Sequence, residues 1–224
     1  MPTSRYQDYV IKEGKLVREF EAMYKNSSEV PWHQDKTAYA LFSEFELAIL
    51  RHYYPIGQWR RVLDVGCGTG ENAIFLAQNG HSVTGIDLVQ DAIRTAKAKA
   101  ASRKVKVEFR DGNALGLEFE EGEFDNVTDS GLFHTFQDPD RSVFAREIAR
   151  VLREGGKYFM LCFSEKEPTD WGGPRRVTRR EIEETFSPRF KINYIRDSSF
   201  ATRIHDKGGM AYLTSATRLA KPSA

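Results

Sequence analysis

The sequence is short of cysteine, of net charge and of long apolar runs. Its 224 residues include two cysteines, Cys67 and Cys162. They lie far apart, form no CxxC pair and have no histidine at zinc spacing. That argues against a structural zinc site and suits a reducing compartment. Thirty-three basic residues face 32 acidic ones, leaving +1. This balance argues against a nucleic-acid surface or a polybasic membrane anchor. No apolar run approaches the roughly 18 residues of a membrane span. The opening residues, Met1 to Tyr9, lack the apolar core of a signal peptide. The expectation is a soluble, cytoplasmic protein, monomeric or homodimeric, that engages neither nucleic acid nor membrane.

Hydrophobic residues at 40% and charged residues at 29% are ordinary globular proportions. The length suits one domain with an embellishment and a core that needs no metal or disulfide staple. Aromatics are unevenly spread. Residues 1–59 hold Tyr6, Tyr9, Phe20, Tyr24, Trp32, Tyr39, Phe42, Phe45, Tyr53, Tyr54 and Trp59, 11 of the chain's 27. Helix packing accounts for most of them, and an apolar ligand cavity for the others.

Apolar positions at helical spacing predict helices over about 6–24 and 36–53, with a loop at Asn26–Pro31 and a stop at Pro55-Ile56-Gly57. From Arg61 the rhythm becomes strand and helix in alternation. Strands are expected at 62–65, 82–87, 105–109, 124–129 and 157–163, with helices at 69–79 and 91–102. A third helix has Pro139 in its first turn and Gly155-Gly156 just past its end. Alternation of this kind makes a parallel sheet with right-handed crossovers and helices on both faces. Thr178 with Glu181 three residues on predicts a capped helix over 178–186. Two last strands, 190–202 and 210–219, are joined by the short link His205–Gly209, so one of them must run antiparallel to the sheet.

Between the first strand and helix stands Asp64-Val65-Gly66-Cys67-Gly68-Thr69-Gly70. Glycines there allow a tight turn and a close ligand approach, at the point where open parallel sheets bind ligands. Asp87 ends the second strand, where a carboxylate can accept both hydroxyls of a ribose. A dinucleotide site wants GxGxxG, but the sixth position is Glu71, whose charge would oppose a pyrophosphate. Asp64 and Glu71 flank an acidic turn that suits a nucleoside cofactor with a positive centre and no phosphate.

These residues resemble the class I S-adenosylmethionine-dependent methyltransferases over 61–163. Val62 to Gly70 is similar to their first motif. Asp87 stands where the family binds ribose, and Asp111-Gly112-Asn113-Ala114 where it often has Gly-Asp-Ala. Phe124-Asp125-Asn126-Val127 resembles the strand entering the active site, and Arg150 to Gly156 the exit before strand five. Pro31-Trp32, Gly70-Glu71-Asn72-Ala73 and Asp129-Ser130-Gly131-Leu132-Phe133-His134 resemble a small-molecule group, the thiopurine, thiol, halide and heterocyclic-toxin methyltransferases. The resemblance implies a Rossmann-like, doubly wound α/β fold. Its seven-stranded sheet would be mostly parallel with an antiparallel terminal hairpin. A helical lid over 1–59 would precede a core over 60–224. It also implies S-adenosylmethionine as cofactor, held by Trp32, Asp64, Gly66, Cys67, Gly68, Gly70, Asp87, Leu88, Gly112, Asn113, Ala114 and Asp129.

The expected reaction is methyl transfer to a small thiol, N-heterocycle or hydroxyl in an apolar pocket. Asp129 and His134 follow strand four and are the candidates for a catalytic base, with His33 and His205 behind them; no metal is called for. Arg175-Arg176-Val177-Thr178-Arg179-Arg180, near Trp171, is either a solvated helix start paired with Glu181, Glu183 and Glu184 or a contact for an anionic substrate group. No Asn/Asp-Pro-Pro-aromatic tetrapeptide follows strand four, which argues against nucleobase and amide methylation. A cofactor-binding regulator without catalysis and a nicotinamide oxidoreductase are the alternatives.

Overall fold

The computed structural model describes residues 60–167, 175–200 and 208–220. The expected lid over 1–59 with Trp32 and His33, and the positions of Trp171 and His205, lie outside the described residues. In chain order the strands are β1 Arg61–Val65, β2 Ser82–Asp87, β3 Glu108–Asp111, β4 Phe124–Ser130, β5 Leu152–Phe163, β6 Phe190–Phe200 and β7 Gly209–Arg218. The described helices are α1 Glu71–Gln78, α2 Gln90–Ser102, α3 Asp138–Val151 and α4 Arg179–Phe186, with a short 3-10 turn at Phe133–Thr135.

The seven strands lie in the order β3-β2-β1-β4-β5-β7-β6. The first five pair in parallel. β7 inserts antiparallel between β5 and β6, as the short connection required. β1 lies mid-sheet and is buried from Val62 to Val65; a parallel strand covered on both faces is mostly apolar, and here Asp64 is the exception. Its alternating side chains serve two cores. Val62 packs with Ile74, Leu76, Ile93, Ala96 and Phe159 under α1 and α2. Leu63 and Val65 pack with Phe144, Ile148, Tyr158, Ile182 and Phe186 under α3 and α4.

Three boundaries differ from the sequence reading, each for a local reason. The third strand starts at Glu108, because the Val105 N–H still closes the end of α2 on the Ala100 carbonyl at 2.9 Å. Helix α1 starts at Glu71, because Gly70 is left-handed at φ 82°. Helix α3 ends at Val151, where Leu152 turns extended. Gly155 and Gly156 therefore do not cap a helix. They lie inside β5, where the β4–β5 register shifts between Phe124 and Asn126. A Cβ on Gly156 would sit 2.7 Å from the Arg153 carbonyl oxygen, so the bulge needs glycine. The Thr178 capping box is present as expected, with the Thr178 hydroxyl accepting from the Glu181 N–H.

Candidate active site

The carboxyl ends of β1, β2 and β4 meet at the glycine turn. Gly66, Gly68 and Gly70 all have positive φ, at 65°, 52° and 82°. The turn is pinned from β2: Cys67 N–H donates to the Ile86 carbonyl at 2.9 Å, and Gly68 N–H to Asp87 Oδ2 at 2.8 Å. The other Asp87 oxygen accepts from Val89 N–H at 2.9 Å. Burial pushes the Asp87 carboxyl up, and the backbone N–H groups of Val89, Gly68 and Leu88 oppose this. Each oxygen retains room for a second donor. Leu88 beside it is 40% exposed, an apolar side chain left on the rim.

The turn after β3 joins the same edge through Gly112 N–H, which donates to the Asp87 carbonyl at 3.0 Å. Asn113 is exposed, and its amide oxygen accepts from Leu115 N–H at 2.9 Å. The oxygen expected to accept from adenine is thus already engaged in a local turn. Ala114 is buried against the core.

Two buried carboxylates stand side by side in β1 and β4. Asp64 Oδ1 accepts from the Thr128 hydroxyl at 2.8 Å, and its Oδ2 has no hydrogen-bond partner. Burial raises its pKa to about 7, the Thr128 bond opposes this, and the Asp129 charge adds to it. Asp129 has no exposed surface. It accepts from Leu132 N–H at 2.8 Å, Phe133 N–H at 3.1 Å and Tyr158 Oη–H at 3.0 Å. Burial lifts it too to about 7, against those three donors. It shapes the turn that carries Leu132, whose Cβ lies 3.0 Å from where Gly66 would carry its own.

His134 ends this turn and is 5% exposed. Its Nδ1 accepts from the Phe163 N–H at 3.1 Å. Its ring lies 5.1 Å from Phe163 and 5.7 Å from Phe200, and those two rings are 4.7 Å apart. Burial, and then the Arg141 guanidinium, lower its pKa to about 3. Asp129 thus lies beside the residue that precedes the glycine turn, and His134 lies behind it against Phe163 and Phe200, each with lone pairs expected for proton transfer already in use.

Several other groups sit differently from the sequence reading. Glu71 does not present its charge to the turn. It is paired with Lys99 and Arg103 of α2, both at 2.8 Å, and Lys99 also donates to Thr69 Oγ1 at 2.8 Å. The Cys67 thiol is pushed up by burial and by Asp87 and Asp64, as a packing residue would be. In the basic cluster, Arg175 pairs with Asp138 and Glu181, Arg179 with Asp197 and Arg180 with Glu184. Tyr158, Phe163, Phe200 and Lys99 carried no sequence signal, because each reaches the site from another element.

The family described as a methyltransferase domain matches residues 62–156. An uncharacterized methyltransferase of Schizosaccharomyces pombe is 33% identical over 120 residues, which are 52% of this chain and 83% of the yeast protein. The chain belongs to the class I S-adenosylmethionine-dependent methyltransferases. A 2-heptyl-1-hydroxyquinolin-4(1H)-one methyltransferase of Mycobacteroides abscessus is 33% identical over 136 residues, 60% of each chain. The methyltransferase thus spans about three fifths of that relative's length. The Burkholderia thailandensis 1,6-didemethyltoxoflavin-N1-methyltransferase, solved with its substrate and S-adenosylhomocysteine, shares the fold: TM-score 0.73, 20% identity, 98% of this chain and 93% of that one. The methyltransferase is an enzyme whose cofactor is S-adenosylmethionine. Its residues fit such a group: a carboxylate at Asp87 whose oxygens can each accept one more donor, an apolar rim at Leu88, a turn with three glycines and a partnerless Asp64 oxygen for positive charge.

Proposed function

We propose that this methyltransferase methylates a small, planar, largely apolar acceptor held beside His134, Phe163 and Phe200. The observation that carries the reading is that ring cluster, packed directly behind the turn whose Leu132 touches Gly66. The three rings pack on one another at 4.7–5.7 Å, and the half-buried Phe200 at the edge of the cluster would offer an acceptor ring an aromatic contact. The quinolone and toxoflavin relatives, each named for a ring acceptor, support the same choice.

The bound cofactor supplies an electrophilic methyl on a cationic sulfur. Asp87 would take the ribose hydroxyls, Leu88 one face of the adenine, and Gly112, Asn113 and Ala114 its edge. Asn113 would use the part of its amide that the Leu115 bond leaves free. Asp64, Gly66, Cys67, Gly68 and Gly70 would hold the amino-acid end, the bare backbone of the three glycines and the Asp64 carboxylate suiting a cation. Asp129 would act through Leu132 and the 3-10 turn. Residues 1–59, with Trp32, would close over the site as a lid in front of a core at 60–224. Alignment of acceptor and methyl in a dry site supplies about 7–11 kcal/mol of the barrier reduction.

The test is turnover on a panel of thiols, halide, phenols and N-heterocycles. Methylation of ring acceptors at the highest kcat/KM is the expected outcome. Methylation confined to halide or to small aliphatic thiols would overturn the acceptor class.

A further inference from the structure

We propose that His134 serves the acceptor as a fixed hydrogen-bond donor through its Nε2–H, so that the enzyme takes ring acceptors that arrive ionised rather than ones it must deprotonate. The inference rests on the preceding placement of the acceptor beside His134.

The tautomer follows from the bond at Nδ1. A backbone N–H can only donate, and that of Phe163 donates to Nδ1 at 3.1 Å. A neutral imidazole has one acceptor and one donor nitrogen. With Nδ1 accepting, the proton resides on Nε2. Acting as a base, His134 would have to take a proton at Nδ1, breaking that bond and stranding a buried amide. Burial and Arg141 both oppose the second proton. Arg141, on α3, is the charged group acting on the ring among the described residues. The other candidate base, Asp129, is enclosed, with Leu132, Phe133 and Tyr158 all donating to it.

The free edge of the imidazole lies at the reacting end of the sheet. Gly131, at φ 95°, runs beside it; a Cβ there would lie 3.5 Å from His134 Cε1 and 3.8 Å from Nε2. The preceding Asp129 pairs in register with Val65, the residue before the glycine turn. A ring laid against the edge of this cluster would therefore meet one donor, suited to an oxyanion, a thiolate, a deprotonated ring nitrogen or a carbonyl conjugated to one of these.

The step balances without a base. The acceptor's lone pair forms the new bond to the methyl carbon. The carbon–sulfur bond breaks and its electron pair stays on sulfur. Anion and sulfonium charges cancel, and no proton moves.

The test is the pH dependence of kcat/KM for hydroxylated rings, N-heterocycles and aryl thiols whose own pKa values span about three units or more. The midpoint of each profile is expected to follow the acceptor. One midpoint shared by all of them would reveal an enzyme base and overturn the inference. His134→Asn keeps an acceptor for the Phe163 N–H and removes the Nε2 donor. It is expected to raise acceptor KM at least tenfold while S-adenosylhomocysteine affinity, by calorimetry, stays within about twofold. His134→Gln, which restores a donor near Nε2, is expected to recover part of the loss. Wild-type acceptor KM in His134→Asn would overturn the inference. Nitrogen NMR of the imidazole in the resting enzyme gives a readout free of turnover: an Nε2–H tautomer unchanged between about pH 5 and 8 is expected, and titration near the ordinary histidine value of about 6.5 overturns it. Failure to methylate any ring acceptor would instead overturn the acceptor class, and a shared midpoint in an active enzyme this inference alone.

Discussion

The Gly68 N–H donates to Asp87 Oδ2 at 2.8 Å, so the end of β2 shapes the glycine turn before any ligand arrives. With the second oxygen on Val89 N–H, one carboxylate ties two loops together. Replacing Asp87 by Ala removes two charge-assisted bonds, each worth about 1.5–3 kcal/mol. Calorimetry is expected to show S-adenosylhomocysteine binding weakened at least tenfold. Unchanged affinity would mean that Asp87 faces no ligand.

Gly70 is held at φ 82°, and a Cβ there would stand 2.7 Å from the Phe109 ring and 2.9 Å from Ala96. Left-handed backbone costs a substituted residue about 1–2 kcal/mol, and overpacking a further 1–3 kcal/mol or so. Gly70→Ala is expected to lower unfolding free energy by about 2–5 kcal/mol in urea. A wild-type midpoint would contradict the packing of β3 against the turn.

Asp129→Asn turns an amide N–H2 toward one of three donors, while Tyr158→Phe removes one donor. The first is expected to cost about 2–3 kcal/mol and the second about 1 kcal/mol. The pH dependence has a definite sign. Asp129 titrates near 7 folded and near 3.8 unfolded, so the native state binds the extra proton in between. Its contribution is greatest at acid pH and is lost as pH rises to about 7. The stability gap between wild type and Asp129→Asn is therefore expected to be wider at about pH 5 than at about pH 8, and a gap that widens with pH would refute this.

Glu181 accepts from Thr178 N–H at 2.7 Å, from Arg141 Nη1 at 2.9 Å and from Arg175 Nη2 at 2.5 Å. Arg141 is 3% exposed, stacks over Phe133 at 4.8 Å and is lowered by burial and by Arg175 despite Glu181. Glu181→Gln leaves that buried guanidinium with only the more distant Asp138 carboxylate, at 3.8 Å, at a cost of about 3 kcal/mol near pH 7. The Thr178 bonds, the Arg141 pairing and its charge outweigh burial and hold the Glu181 carboxyl at about 2, below its usual 4.5. Its contribution is thus present above pH 4.5 and lost as pH falls toward 2. Urea melts at about pH 7 and pH 3.5 are expected to show the penalty shrinking on the acid side.

The elements of the core were legible where local chemistry decides them. The buried run at Val62–Val65, apolar but for Asp64, the positive-φ glycines, the Thr178–Glu181 box and the short link before β7 all act over a few residues. The boundary errors at 105–107 and at Gly155-Gly156 came from pairing. The Ala100–Val105 bond and the β4–β5 register shift depend on neighbours that a periodic pattern does not contain. Glu71 shows the same limit: its charge was legible, but its partners Lys99 and Arg103 lie 28 and 32 residues on.

The sequence by itself determined the sheet, the glycine turn, the acidic end of β2 and hence the family of the enzyme, because short, mostly apolar runs and backbone freedom are properties of short segments. Only the tertiary structure decided which functional atoms remain free. Asp129 meets Tyr158, and His134 meets Phe163, each across 29 residues of chain. Those contacts turn two candidate bases into a shaped turn and a fixed donor, because a lone pair already in a buried hydrogen bond is costly to withdraw.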